Sequence, residues 1–147
     1  MLYKLAMTTT NTSSSTNNGA AWSIKAGSAK TARILSIKIN QVSTTASNFA
    51  LALAATPGTQ SSAQTPISFQ TADSSDACTA TCAVSWSSAP SAVPTNKIDI
   101  LNTGTGAGTT QFVDFPQGGF SLPAGKELVL YNLATNDTFN VAVEVDE

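Results

Sequence analysis

Apolar and polar positions alternate most cleanly near the C-terminal end of the chain. Phe139, Val141, Val143 and Val145 alternate with Thr138, Asn140, Ala142 and Glu144. That is the period of a strand with one buried face. Just upstream, Leu128 and Leu130 alternate with Val129, Tyr131 and Leu133. This stretch is apolar on both faces, which predicts a strand central in its sheet or partly at an interface. Thr135-Asn136-Asp137 supplies turn chemistry between the two, and Pro123-Ala124-Gly125 supplies another turn before them. The expectation is a hairpin that closes a β-sandwich, with the remaining strands packed on it.

The rest of the chain carries the same period in shorter pieces. Residues 2–7 form a first strand with Tyr3, Leu5 and Met7 on one face. Residues 8–19 are a Thr/Ser/Asn tract that cannot bury apolar surface, so it is a solvated loop or an arm that orders on a partner. Residues 21–25 point Trp22 and Ile24 inward. Residues 31–41 make a long strand with Leu35, Ile37 and Ile39 on one face, Arg33 at its start, and Ile34 on the other face beside Ser36, Lys38 and Asn40. In the strand 48–55, Phe49, Leu51 and Leu53 face inward. Ala50, Ala52 and Ala54 face outward, flush against another subunit or beneath a loop. Ile67 and Phe69 mark a brief strand. Cys78, Ala80, Cys82, Val84 and Trp86 share one parity, as in a strand with a buried face. In Lys97–Asn102, Ile98 and Ile100 alternate with Lys97, Asp99 and Leu101, and Phe112–Phe115 leads to the closing strands. About nine or ten short strands separated by turn signals, with no helical period, predict an all-β antiparallel sandwich or jelly roll. At 147 residues this is one domain, residues 1–147.

Charge changes the picture. Charged residues are 11% of the chain, against about 25% in ordinary domains. Hydroxyls and amides solvate the surface instead, which suits a component of an assembly. The few charges are segregated. Lys4, Lys25, Lys30, Arg33 and Lys38 precede Asp73 with no acid among them, and nine acids against Lys97 and Lys126 follow, giving +5 and then −7. Either the strands interleave and the charges mix, or a basic patch meets an acidic neighbour. Five cations without interleaved aromatics fall short of a nucleic-acid stripe. No apolar run approaches the ~20 residues that span a membrane, and Met1–Met7 is too short and broken for a signal peptide, so an extracellular destination implies release by lysis.

Candidate chemistry is sparse. The chain has no histidine, the commonest general base near neutral pH. Asp99 with Asp114 is a formal carboxylate pair, but no spacing recommends it. Gly104–Gly108 lacks the Lys-Ser/Thr ending of a phosphate loop. Asp73 and Asp76 lack the order of a Ca²⁺ loop and read as a turn. In an extended strand Cys78 and Cys82 would stand about 13 Å apart, beyond the roughly 7 Å that a disulfide spans. They are two buried thiols or, if 78–82 folds as a turn, a local disulfide. Metal binding lacks further ligands, and no cofactor is implied. Sugar binding wants exposed aromatics; Trp22 and Trp86 fall on core faces, which leaves Phe112 or Phe115 and Tyr131.

One resemblance joins these features. A Tyr-containing first strand and a Ser/Thr/Asn tract precede Ala21-Trp22-Ser23-Ile24-Lys25-Ala26-Gly27-Ser28-Ala29-Lys30-Thr31-Ala32-Arg33-Ile34-Leu35. Trp86-Ser87-Ser88-Ala89-Pro90 follows, then Leu122-Pro123-Ala124-Gly125-Lys126-Glu127-Leu128-Val129-Leu130-Tyr131-Asn132. This order resembles the small β-sandwich decoration (cement) proteins of tailed bacteriophage capsids. The resemblance implies a non-enzymatic virion protein, commonly a homotrimer, that is made in the host cytoplasm and binds the major capsid protein on the assembled shell. The paired cysteines depart from that pattern. Lys25, Lys30, Arg33 and Lys38, with Thr10 and Asn11 of the arm, are the expected partner contacts. The alternative is a receptor- or glycan-binding module of a phage tail or fibre, which shares the fold and needs a ligand site with exposed aromatics or a metal.

Overall fold

A computed structural model of the chain describes residues 1–9, 16–68, 77–116, 118–134 and 138–147. The alternation of Phe139–Asp146 becomes β13, the centre of a six-stranded sheet. The doubly apolar stretch Glu127–Asn132 becomes β12, the centre of a five-stranded one. The expected hairpin between them does not form. β12 and β13 belong to different sheets, so the chain arches from one sheet to the other. Each strand pairs instead with partners from the first half of the chain.

Those partners are nested. β1 (Leu2–Thr8) pairs with β13, and β2 (Ala20–Lys25) with β12. β3 (Ala32–Gln41) pairs with β10 (Thr110–Asp114), β11 (Phe120–Leu122) and β13. β4 (Asn48–Leu53) pairs with β9 (Asp99–Asn102) and β12. The successive outer-to-inner pairs fall alternately on the two sheets. All of these pairings are antiparallel, and this wrapping is that of a jelly roll. Four short strands complete the count of thirteen among the described residues: β5 (Thr59–Gln60), β6 (Ile67–Ser68), β7 (Thr81–Ala83) and β8 (Trp86–Ser88). The fold class is therefore as the pattern predicts, with more and shorter strands.

Between the sheets lies one apolar core. β13 contributes Phe139, Val141, Val143 and Val145, β12 contributes Leu128 and Leu130, and Trp22, Ile24, Phe49 and Leu51 come from their neighbours. Phe49 and Phe139 meet edge to face at 4.5 Å across the two sheets, which adds about 0.5–1.5 kcal/mol beyond burial. In β3 the inward set is Ile34, Ile37 and Ile39; Leu35 is only half-buried. The expected face, with Leu35 inward and Ile34 outward, is wrong because Ser36 pairs with Glu144 and Ile34 with the very next residue, Val145. Leu35 is the extra residue of a β-bulge, and a bulge shifts parity by one.

The two sheets differ on their outer faces. Ala50, Ala52, Val129 and Tyr131 on the outer face of the five-stranded sheet are buried with Ala20, Ala54 and Trp86 in a second cluster. The cover is made by Ala54, by Trp86 of the β5–β8 ribbon and by Val93. So the alanine face of β4 lies beneath the protein's own loop. The stretch from Cys78 to Trp86 is not one strand: Cys78, Ala80 and Cys82 enter the main core, whereas Trp86 enters the second cluster. On β9, Leu101 points inward, and Ile98 and Ile100 stand exposed at a sheet edge, the reverse of their simple alternation. The outer face of the six-stranded sheet has no such cover among the described residues.

Candidate functional site

Three regions carry polar side chains with something to do. The first is one end of the sandwich. Lys25 closes β2, Arg33 is the second residue of β3, Lys30 sits in the turn between them, and Lys126 immediately precedes β12. Gly125 N–H donates to Gly27 C=O at 2.9 Å and Ala26 N–H to Lys126 C=O at 3.0 Å, which laces the two turns together. Gly125 has φ +71°, a left-handed conformation that glycine adopts freely. Lys25 Nζ donates to Gly58 C=O at 2.9 Å, and Arg33 reaches Asp146 at 3.7 Å while half-exposed, a contact worth little in stability. Lys30 and Lys126 are exposed and have no ion pair among the described residues.

The opposite end has two uncharged loops. Its loops 42–47 and 103–109 contain no ionisable side chain. There Thr9 is fully buried: its hydroxyl donates to Phe139 C=O at 3.1 Å, and Thr9 N–H donates to the same oxygen at 2.9 Å. Asn17 and Asn18, both at positive φ, form a 3-10 turn over Thr16–Gly19, and Asn18 Nδ2 donates to Pro90 C=O at 2.8 Å. The low-complexity tract is thus fastened at both its ends, and Thr8 belongs to β1. Thr10 and Asn11 lie outside the described residues. Of the expected partner contacts that are described, Lys25, Lys30 and Arg33 lie at the first end. Lys38 stands apart on the open sheet face.

That open face is the second region. Strand register sets its rows. Thr110, Asn40, Asn140 and Thr8 form one; Phe112, Lys38, Ala142 and Ala6 the next; Asp114, Ser36, Glu144, Lys4 and Ile67 the third. In the third row Glu144 accepts from Lys4 Nζ at 3.2 Å and from Ser36 Oγ at 3.3 Å. Here the charges of the first and last strands mix, as interleaved strands require. Lys38 Nζ lies 5.7 Å from the centre of the Phe112 ring, a cation–π contact, and Phe112 is 60% exposed. Of the aromatics expected at the surface, Phe112 is there. Phe115 packs on Phe120 at 5.5 Å, and Tyr131 is buried with its hydroxyl donating to Ser91 C=O at 2.9 Å.

The third region is the seam under the covering loop. Glu127 is fully buried. Its Oε1 accepts from Ser23 Oγ at 2.6 Å and Trp86 Nε1 at 3.0 Å, and its Oε2 accepts from Gly58 N–H at 2.6 Å. Gln60 Nε2 continues the network to Ser23 Oγ at 3.0 Å. A carboxylate with three donors is the arrangement that makes a buried charge tolerable. Sequence reasoning passed over Glu127. The available signal was a carboxylate opening a strand that is apolar on both faces, where any side chain of that parity is buried.

The cysteines are free thiols, both buried. Burial pushes the Cys78 thiol up to about 11, with the Glu147 charge adding to it, and pushes Cys82 up further. Asp99 and Asp114 stand on edge strands of different sheets, and Asp99 Oδ1 accepts from Ile100 N–H at 2.8 Å. Asp73, Asp76 and Phe69 lie outside the described residues. Comparison with protein-family models, with curated proteins and with solved structures finds no match.

Proposed function

We propose that the protein is a non-enzymatic virion protein that decorates and stabilises an assembled phage capsid. Its docking surface is the basic end: Lys25, Lys30, Arg33 and Lys126. The observation that carries this reading is the clustering of cations. The lacing of turns 26–31 and 123–126 gathers four of the seven Lys and Arg residues at one end. Lys30 and Lys126, exposed and without an ion pair among the described residues, speed and orient docking on an acidic surface. The Thr/Ser/Asn tract, fastened at both its ends, would then reach neighbouring copies rather than the lattice. A trimer with one such contact per subunit binds by effective concentration, and binding the shell but not its parts stabilises the shell by mass action.

The test is co-sedimentation with phage heads stripped of their minor proteins, with the solution mass measured by light scattering. A trimer should pellet with heads and raise their melting temperature. The double reversal Lys30→Glu with Lys126→Glu should weaken binding by at least about tenfold with its own fold intact, since a like-charge pairing across an interface costs several kcal/mol. Unchanged binding by the reversed protein would remove the basic end from the reading; failure of the wild-type protein to pellet would remove the capsid. The second reading, a tail or fibre module that binds host glycans, is favoured by one observation, the exposed Phe112 ring on an open sheet face.

A further inference from the structure

At the centre of the open face, the two small residues Ala6 and Ala142 leave a depression of about 360 Å³ walled by Lys38, Asn40 and Asn140. This lies at the lower end of ordinary small-ligand sites, which run from about 300 to 1,000 Å³. Its polar groups are oriented by their neighbours. Asn40 Nδ2 donates to Thr110 Oγ1 at 3.0 Å and to Gly108 C=O at 3.3 Å, which leaves Asn40 Oδ1 as an acceptor. Asn140 Oδ1 accepts from Thr8 Oγ1 at 2.6 Å, which leaves Asn140 Nδ2 as a donor. Asn40 and Asn140 are directly paired across β3 and β13, so their Cβ atoms stand about 5 Å apart. The two flanking threonines thus fix the two amides in opposite senses. One free C=O and one free NH₂ sit side by side, matched to two adjacent hydroxyls, each of which both donates and accepts.

Lys38 adds a charge to that pair. It has no carboxylate partner among the described residues, whereas Lys4, the other cation of this face, is tied to Glu144. A smaller depression shares Lys38 and Ala142 and brings in Phe112, whose exposed ring borders the site. We propose that this face binds an acidic saccharide: adjacent ring hydroxyls on the Asn40–Asn140 amide pair, the carboxylate on Lys38 Nζ, and the sugar ring over the Ala6–Ala142 floor. The site lies on a sheet face, away from the basic end, so it stands whether the protein sits on a capsid or on a tail.

The experiment is a printed glycan array carrying matched neutral and uronic- or sialic-acid-bearing oligosaccharides. It is probed with the wild-type protein and with Ala142→Leu, Asn140→Ala and Lys38→Gln, each checked for an unchanged thermal melt. These positions are at the surface of a sheet whose core lies on the other side. Capture of acidic glycans is expected. Asn140→Ala should weaken it about five- to tenfold, the loss of one net hydrogen bond, Lys38→Gln should abolish the preference for acid, and Ala142→Leu should fill the floor and abolish capture. The proposal is overturned if nothing is captured, if only neutral glycans are, or if Ala142→Leu binds as the wild type does. Should Ala142→Leu block head binding while no glycan binds, the depression belongs to a protein interface and the saccharide assignment falls. The Lys30→Glu/Lys126→Glu protein separates the two proposals: it should keep glycan capture and lose heads.

Discussion

At the scale of single residues, Glu127 holds the most consequential position. Its carboxylate ties β12 to β2 through Ser23 and to the covering loop through Gly58 and Trp86. Glu127→Gln keeps the shape, but its amide nitrogen can no longer accept, so at least one of the three donors is left unpaired. The expected loss is about 1–3 kcal/mol, read from urea unfolding followed by tryptophan fluorescence. Three titratable side chains set a second prediction. Burial holds Cys78 near 11, above its usual 9.0, and burial followed by the Glu127 charge holds Tyr131 near 12, above its usual 10.0. Cys82 is raised in the same direction by burial. A group whose folded value is raised keeps its native proton longer than the unfolded chain does. Its contribution is therefore fully present below the unfolded value and is lost as pH climbs through the folded one. Stability should fall between about pH 9 and 12, and at pH 8 neither thiol should react with a thiol reagent until the protein is unfolded. Rapid labelling of the native protein at pH 8 would overturn this.

At the scale of elements, β3 shows how one residue redirects a strand. Leu35 is extruded as a bulge, so Ala32 and Ile34 point inward before it and Ile37 and Ile39 after it. Gly119 sits against this point with φ +98°; a Cβ there would lie 2.7 Å from the Ile34 carbonyl oxygen. The expectation is that Ile34→Ala costs about 2–5 kcal/mol, as for a buried aliphatic. Ile100→Ala on the exposed edge strand β9 should change stability by no more than about 0.5 kcal/mol. A simple alternation of either strand, without the bulge or the edge, gives the opposite ranking, so chemical denaturation of the two variants distinguishes them. The other element to depart from its pattern is the pair β12 and β13. Their strand character was legible in Leu128, Leu130 and the Phe139–Val145 alternation. Their separation into two sheets was not, because a turn of six residues serves a hairpin and an arch alike.

At the scale of the whole molecule, the jelly-roll wrapping decides where charge goes. The basic residues of the first part and the acids of the last strand come together because β1 and β3 flank β13, and Glu144 and Asp146 meet Lys4 and Arg33 there. Lys4 and Arg33 are neutralised in this way, whereas Lys38 on the sheet face and Lys30 and Lys126 at the turn end have no ion pair among the described residues. If that end docks on an acidic lattice, head binding should weaken as salt rises from about 0.05 to 0.3 M, over which the screening length shrinks from roughly 14 to 6 Å. Glycan capture through the amide pair should respond less. Binding measured at three salt concentrations for each ligand gives the comparison, and salt-independent head binding would count against the basic end.

The sequence by itself determined the class of fold. Period-two patterning with Gly, Pro, Asn and Asp at the breaks leaves few options but packed antiparallel sheets, and the placing of Trp22, Ile24, Phe49, Leu51 and the β13 valines in the core follows from local alternation. The absence of histidine and the scarcity of charge were also plain from the composition. The tertiary structure alone decided three things. Which strand pairs with which depends on contacts between residues tens to more than a hundred positions apart, on which local pattern is silent. Whether the alanine face of β4 meets a neighbour or the chain's own loop depends on where Trp86 and Val93 fold back. The amide pair of Asn40 and Asn140, like the buried carboxylate of Glu127, exists only because register sets distant residues side by side. A polar residue in a sequence shows what it can donate or accept, and only the folded chain shows to whom.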